Sequence, residues 1–233
     1  MQENYTKWFS PIIGRDFEML TYGHGGVPVI VFPSSMGKYY EAKDRGLVDS
    51  VAWYADNGLA KFYCVDSIDK ESWYNKGVHP GTRAWNHVLY DRLILEDVVG
   101  RARYETGHDR VVTAGCSFGG YHAANFGLKH PELTRAIISM SGTFNIRPQV
   151  PGYYDDNVYY NNPEDFLPGD NNPWLWQLKV FLGVGQSDIC WDQNMNMSRI
   201  LADKNMNQWL DIRPGIHDWP LWLEMFPHYL SLI

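Results

Sequence analysis

The chain has 233 residues, with 20 basic and 27 acidic side chains and a formal net charge of −7 at neutral pH. That length suits a single domain, residues 1–233, with one well-buried core, and the acidic balance argues against nucleic acid or an anionic membrane as the partner. Three cysteines, Cys64, Cys116 and Cys190, are too scattered for a disulfide framework or a C-x-x-C metal site, and neither a leader-type N-terminus nor an apolar run of membrane-spanning length is visible, so a cytoplasmic protein needing no metal and no cofactor is expected.

Strand-like and helix-like segments alternate along the chain. Phe17 to Tyr22 alternates apolar with polar residues and predicts an edge strand. Val27 to Phe32 is a continuous apolar run, the pattern of a strand covered on both faces. Gly46 to Asn57 has helical spacing and ends at Gly58, a good C-terminal cap. Lys61 to Val65 predicts the next strand, where Cys64 is a buried small apolar residue. Thr82 to Tyr104 predicts one long amphipathic helix, with Trp85, Val88, Leu89, Leu93, Leu95 and Val98 near one face. Arg110 to Cys116 and Arg135 to Met140 predict further buried strands, as does Lys179 to Val184. Met195 to Ala202 predicts a helix, Gln208 to Ile212 a short strand, and Trp219 to Leu232 a closing helix. Such alternation implies βαβ units, a mostly parallel sheet, and chemistry on the loops at the carboxyl ends of the strands.

Residues 144–176 break this alternation. The segment is rich in tyrosine and acid and has no clear period, so an insert forming a wall or lid of a pocket is expected, with Tyr153 and Tyr154 among the substrate contacts. A calcium site from Asp155, Asp156 and Asp165 is not supported, because their spacing matches no calcium loop.

The most informative segment is Gly115-Cys116-Ser117-Phe118-Gly119, which follows an apolar strand and opens a helix-like stretch. This is a G-x-S-x-G nucleophile elbow in the context that the motif requires. The two glycines allow strand and helix to approach closely while a sharp turn exposes Ser117. Cys116 precedes the exposed position and is expected to pack inward. A serine nucleophile needs a base oriented by a buried carboxylate, in the chain order Ser, Asp or Glu, His. His217 stands on a loop after a strand, whereas His228 falls inside the closing helix and His122 in the helix after Ser117. Asp188 follows a buried strand and is the expected acid, with Asp192 the nearest competitor; Asp218 adjoins His217 and reaches its Nδ1 poorly. The oxyanion hole is expected from the Phe118 amide and from the loop Pro33-Ser34-Ser35-Met36-Gly37, with Ser35 first and Ser34 or Met36 as alternatives. Trp219 completes the predicted substrate contacts.

The segments Cys116-Ser117-Phe118-Gly119-Gly120-Tyr121-His122, Gly185-Gln186-Ser187-Asp188 and Gly215-Ile216-His217-Asp218-Trp219-Pro220-Leu221-Trp222 resemble a bacterial esterase family of α/β-hydrolases. Its relatives include esterase D-type enzymes, feruloyl esterases and mycolyltransferases. The resemblance implies an α/β-hydrolase fold and a serine esterase with Ser117 as nucleophile, Asp188 as acid and His217 as base. Where many hydrolases carry a His-Gly pair at the oxyanion loop, this chain has Pro33-Ser34. The residues alone give a serine hydrolase; the resemblance adds a small-molecule ester as substrate. The same triad would serve an acyltransferase, and a non-catalytic binding relative is the remaining alternative. Oligomeric state is not legible.

Overall fold

The structure, a computed structural model, describes residues 1–233. Its strands are β1 (Glu3–Ser10), β2 (Arg15–Tyr22), β3 (Val27–Phe32), β4 (Ala60–Val65), β5 (Val111–Cys116), β6 (Thr134–Met140), β7 (Lys179–Gly185) and β8 (Gln208–Arg213). They form one sheet in the order β1-β2-β4-β3-β5-β6-β7-β8. β1 and β2 are antiparallel, as are β2 and β4, while every other pairing is parallel. Helices cover both faces, which is the α/β-hydrolase arrangement.

Side-chain alternation along β3 shows how the two faces are filled. Val29 and Val31 join one core with Phe62 of β4, Ala114 of β5, and Leu221, Met225 and Phe226 of the helix Trp219–Leu230. Ile30 and Phe32 point the other way, to Tyr90, Leu93, Ile94, Ala123 and Phe126. A third cluster joins Val180 and Leu182 of β7 to Met197 and Leu201 of the helix Trp191–Asp203. No helix is long and apolar enough to cross a membrane.

Three sequence expectations change. Phe17–Tyr22 lies in β2, which is paired on both sides; the edge is β1, whose polar face gives no apolar signature. Gly46–Asn57 is two short helical pieces, Leu47–Ser50 and Ala52–Asp56, and Gly58 takes the left-handed conformation (φ 65°) that ends the second. The long helix is α-helical over Pro80–Leu93, passes through a π-turn at Ile94–Val99 and resumes at Gly100–Thr106. Its inward face is Arg83, Ala84, His87, Tyr90, Leu93 and Ile94, whereas Trp85 is 52% exposed. Apolar periodicity misses this face because polar side chains fill it and find partners there: Tyr90 donates to the Asp66 carbonyl at 2.8 Å and Arg83 to the Gln149 carbonyl at 2.6 Å.

The 144–176 stretch is a series of short turns, among them Arg147–Gln149, Asp156–Tyr159 and Pro163–Phe166. Ile146, Val150 and Val158 pack with Phe118 and Tyr121, at the start of the helix that follows Ser117, and Tyr153 lies against them. Asn162 fastens the stretch from inside, accepting the Ile146 amide at 2.6 Å.

Candidate active site

β5 ends at Cys116, and the helix Phe118–Lys129 begins after a single intervening residue. Ser117 occupies the turn between them with φ 56° and ψ −122°, a conformation that a residue bearing a Cβ adopts at a cost of order 1–3 kcal/mol. The surroundings explain why it persists. Its amide is held by the Met140 carbonyl of β6 at 2.8 Å. A Cβ at Gly119 would lie 2.5 Å from the Phe32 carbonyl oxygen, and one at Gly115 would collide with the backbone of Gly119. Both glycines are therefore required by close approach. Cys116 is buried in the core, and burial pushes its thiol well above the ordinary range, so it is no competing nucleophile.

Ser117 Oγ lies 2.9 Å from Nε2 of His217, and Nδ1 of His217 lies 2.8 Å from Oδ1 of Asp188. These groups come from three loops, after β5, β8 and β7. Asp188 is completely buried at its side chain while His217 keeps 18% exposure. This places the carboxylate away from water and leaves the imidazole at the surface end. The other sequence candidates lie elsewhere: Asp192 is exposed in the first turn of its helix, Asp218 caps the last helix through the Leu221 amide at 3.3 Å, and His228 is exposed. His122 is buried and bonds Asp69 at 3.1 Å.

Ser141, which no motif marks, and the backbone of Cys190 complete the setting of the acid. Ser141, just after β6, donates from Oγ to Asp188 Oδ2 at 2.5 Å, a short charge-assisted bond, and accepts from the Trp222 indole N–H at 2.8 Å. The Cys190 amide donates to Asp188 Oδ1 at 2.7 Å. Trp222 also packs edge-on against the His217 ring, 5.0 Å between centroids. Ser141 has a detectable position, directly after a buried strand of the sheet, but no motif marks it.

The loop after β3 is organised by two carboxylates. Glu41 accepts the Ser34 amide at 2.7 Å and the Ser34 hydroxyl at 2.8 Å. Asp69 accepts the Met36 amide at 2.8 Å and bonds His122 of the helix after Ser117, so it joins that loop to that helix. Ser34 and Met36, the two alternatives in the sequence, thus have their amides engaged, whereas the Ser35 amide donates to no protein group. The Phe118 amide is in the first turn of its helix, where no intrahelical acceptor exists.

The predicted substrate contacts are placed as follows. Tyr153 donates to Asp155 at 2.8 Å and packs edge-on against His79. Tyr154 donates to Asp165 at 2.7 Å, with the Arg147 guanidinium over its ring. Trp219 packs against Trp222, with Arg45 over its face. Asp155 and Asp165 are occupied by these bonds and by the Val158 amide and Arg147, and with Asp156 they form no common ligand cluster. The one close triple of ligand-type side chains is Asp188, Cys190 and His217. Burial and the adjacent Asp188 charge push the Cys190 thiol up to about 12, which disfavours the thiolate that a metal requires.

Comparison with known proteins places the fold and the family. No curated protein sequence matches the chain. Among solved structures, a ferulic acid esterase superposes with a TM-score of 0.81 at 15% identity, covering 99% of this chain and 97% of the other. An S-formylglutathione hydrolase from Staphylococcus aureus gives 0.73 at 13% identity, covering 99% and 98%. Serine hydrolase F of the same organism, described as fluorophosphonate-binding, gives 0.71 at 14% identity, covering 99% and 97%. At these identities the likeness establishes the fold. The family described as "Putative esterase" matches residues 32–232, from the end of β3 through the closing helix. The chain belongs to this esterase family.

Proposed function

We propose that the protein is a serine carboxylesterase that hydrolyses small-molecule esters through an acyl-enzyme on Ser117. The observation that carries this reading is the continuous hydrogen-bonded line from Ser117 Oγ through His217 to Asp188, at 2.9 and 2.8 Å. Ser117 Oγ attacks the ester carbonyl while His217 Nε2 takes its proton. His217 then returns that proton to the departing alkoxide oxygen, which leaves as an alcohol. Water enters, gives a proton to His217 and attacks the acyl carbon; collapse of the second tetrahedral species releases the carboxylic acid and restores Ser117. Asp188 keeps the Nδ1 proton in place throughout, which fixes the tautomer that presents a basic Nε2 to the serine. The amides of Ser35 and Phe118 hold the oxyanion.

Residues 144–176 serve as a wall beside the site, a role supported by their packing on Phe118 and Tyr121. Tyr153 lies on that wall, and Tyr154 and Trp219 contribute rim surface. The relatives act on, or are named for, feruloyl and formyl groups, which favours aromatic or short acyl groups here. The net charge of −7 fits a neutral or small substrate better than a polyanion.

The decisive experiment is Ser117→Ala with p-nitrophenyl acetate. Hydrolysis is expected to fall to background with an unchanged thermal midpoint, and fluorophosphonate labelling is expected to vanish. Full activity in the variant refutes the mechanism.

A further inference from the structure

We propose that the side-chain hydroxyl of Ser35 is a third donor to the oxyanion and that Tyr74 positions it. The proposal rests on the reading of Ser117 as the nucleophile. In the loop after β3, both polar hydrogens of Ser34 go to Glu41, and the Met36 amide goes to Asp69. Ser35 is the exception: neither its amide nor its hydroxyl donates to any protein acceptor, although its Oγ accepts from the Tyr74 hydroxyl at 2.9 Å. Two unspent donors thus belong to one residue, on the loop that faces the nucleophile turn.

Tyr74 connects this residue to the other side of the hole. Its ring meets the Phe118 ring edge-on, 5.2 Å between centroids, while its hydroxyl reaches Ser35. It therefore spans the two residues whose amides are assigned to the oxyanion. A hydroxyl that accepts one hydrogen bond directs its own proton away from that partner and donates more strongly. The line Tyr74 O–H to Ser35 O–H ends on whatever acceptor sits beside the Ser35 amide. An acceptor gaining negative charge there draws on both donors, and the contribution grows as the tetrahedral species forms. In this arrangement Ser35 is a catalytic residue through its side chain as well as its backbone, and Tyr74 is a positioning residue. It also offers a donor in a loop that carries Pro33-Ser34.

The test is a double-mutant cycle of Ser35→Ala and Tyr74→Phe, with kcat and KM measured on p-nitrophenyl acetate. Affinity for a trifluoromethyl ketone, which forms a tetrahedral adduct on serine, is measured alongside. Ser35 is exposed and Tyr74 half-buried, so both variants are expected to fold, with thermal midpoints as the check. Ser35→Ala is expected to lower kcat about 10- to 100-fold with KM changed less than about twofold. Binding of the ketone should weaken by the same factor. Tyr74→Phe should lower kcat less, and should have no effect once Ser35 is alanine. Unchanged kcat in Ser35→Ala overturns the proposal. A Tyr74→Phe loss that persists in full in the Ser35→Ala background overturns the positioning role. If Ser117→Ala is inactive while Ser35→Ala is fully active, only the third donor fails; if Ser117→Ala is active, the triad reading fails with it.

Discussion

Replacing Ser141 by alanine removes one hydroxyl and leaves the triad side chains in place. In the native structure that hydroxyl donates to Asp188 Oδ2 at 2.5 Å and accepts from Trp222 at 2.8 Å, and all three side chains are buried. A hydrogen bond to a charged group contributes roughly 1.5–3 kcal/mol, more than a neutral one. Asp188 would retain the Cys190 amide and His217 on its other oxygen, so the carboxylate is weakened as an anchor without being abandoned. In the proposed mechanism the carboxylate stabilises the imidazolium that forms as Ser117 attacks. Loss of part of that interaction in the transition state, at about 1.4 kcal/mol per factor of ten, predicts a kcat lower by roughly 10- to 100-fold. The backbone adds a control. Ser141 has φ 53°, a left-handed conformation that glycine adopts without the penalty of about 1–2 kcal/mol borne by residues with a Cβ. Ser141→Gly should therefore match Ser141→Ala in lost activity while unfolding at a higher temperature. Steady-state kinetics on p-nitrophenyl acetate and thermal melts of the three proteins provide the assay. If Ser141→Ala retains kcat within about twofold, the hydroxyl does not support the triad, and if Ser141→Gly restores activity, the cause is backbone strain.

Two further outcomes follow from packing and charge. Gly119→Ala puts a methyl group 2.5 Å from the Phe32 carbonyl oxygen and 2.6 Å from that of Pro33, driving the loop after β3, proposed to hold the oxyanion, away from the turn at Ser117; kcat should fall more than about tenfold, and a variant with native kcat and stability would show that this approach is not needed. Burial, reinforced by the neighbouring His122, holds His87 well below its ordinary value of 6.5. The unfolded chain then binds more protons than the folded one once the pH falls below about 6.5, so stability should decline on acidification from there by up to about 1.4 kcal/mol per pH unit. Asp91, lowered to about 2 with Lys129 and His130 overcoming its burial, loses its contribution only below about pH 4 and does not confuse that window. Denaturant titrations between pH 7 and 5 should show the slope, and His87→Gln should flatten it; an unaltered slope would place the acid lability elsewhere.

The residues that a local pattern can mark were legible before folding. β3, β5, β6 and β7 announce themselves as apolar runs because both faces of a central parallel strand are covered, and burial on both sides leaves a signal within six or seven consecutive residues. Gly115, Ser117 and Gly119 are marked for the same local reason, since one turn imposes close approach on adjacent residues. Asp188 and His217 could be selected because a carboxyl-end loop is fixed by the strand before it. β1 escaped because an edge strand with a wet face need not be apolar, and the inward face of the helix at Pro80–Leu93 escaped because Arg83, His87 and Tyr90 fill it.

The chain by itself determined a parallel sheet, a serine elbow and the order of its partners, all of which are short-range consequences of burial and chain geometry. Tertiary structure alone decided which side chains hold those partners. Ser141 meets Asp188 across 47 residues, Asp69 meets Met36 and His122 across 33 and 53, and Tyr74 meets Ser35 across 39. A polar residue that finds its partner at such separations leaves no periodicity behind, because the hydrogen bond that holds it is made only when distant strands and loops come together.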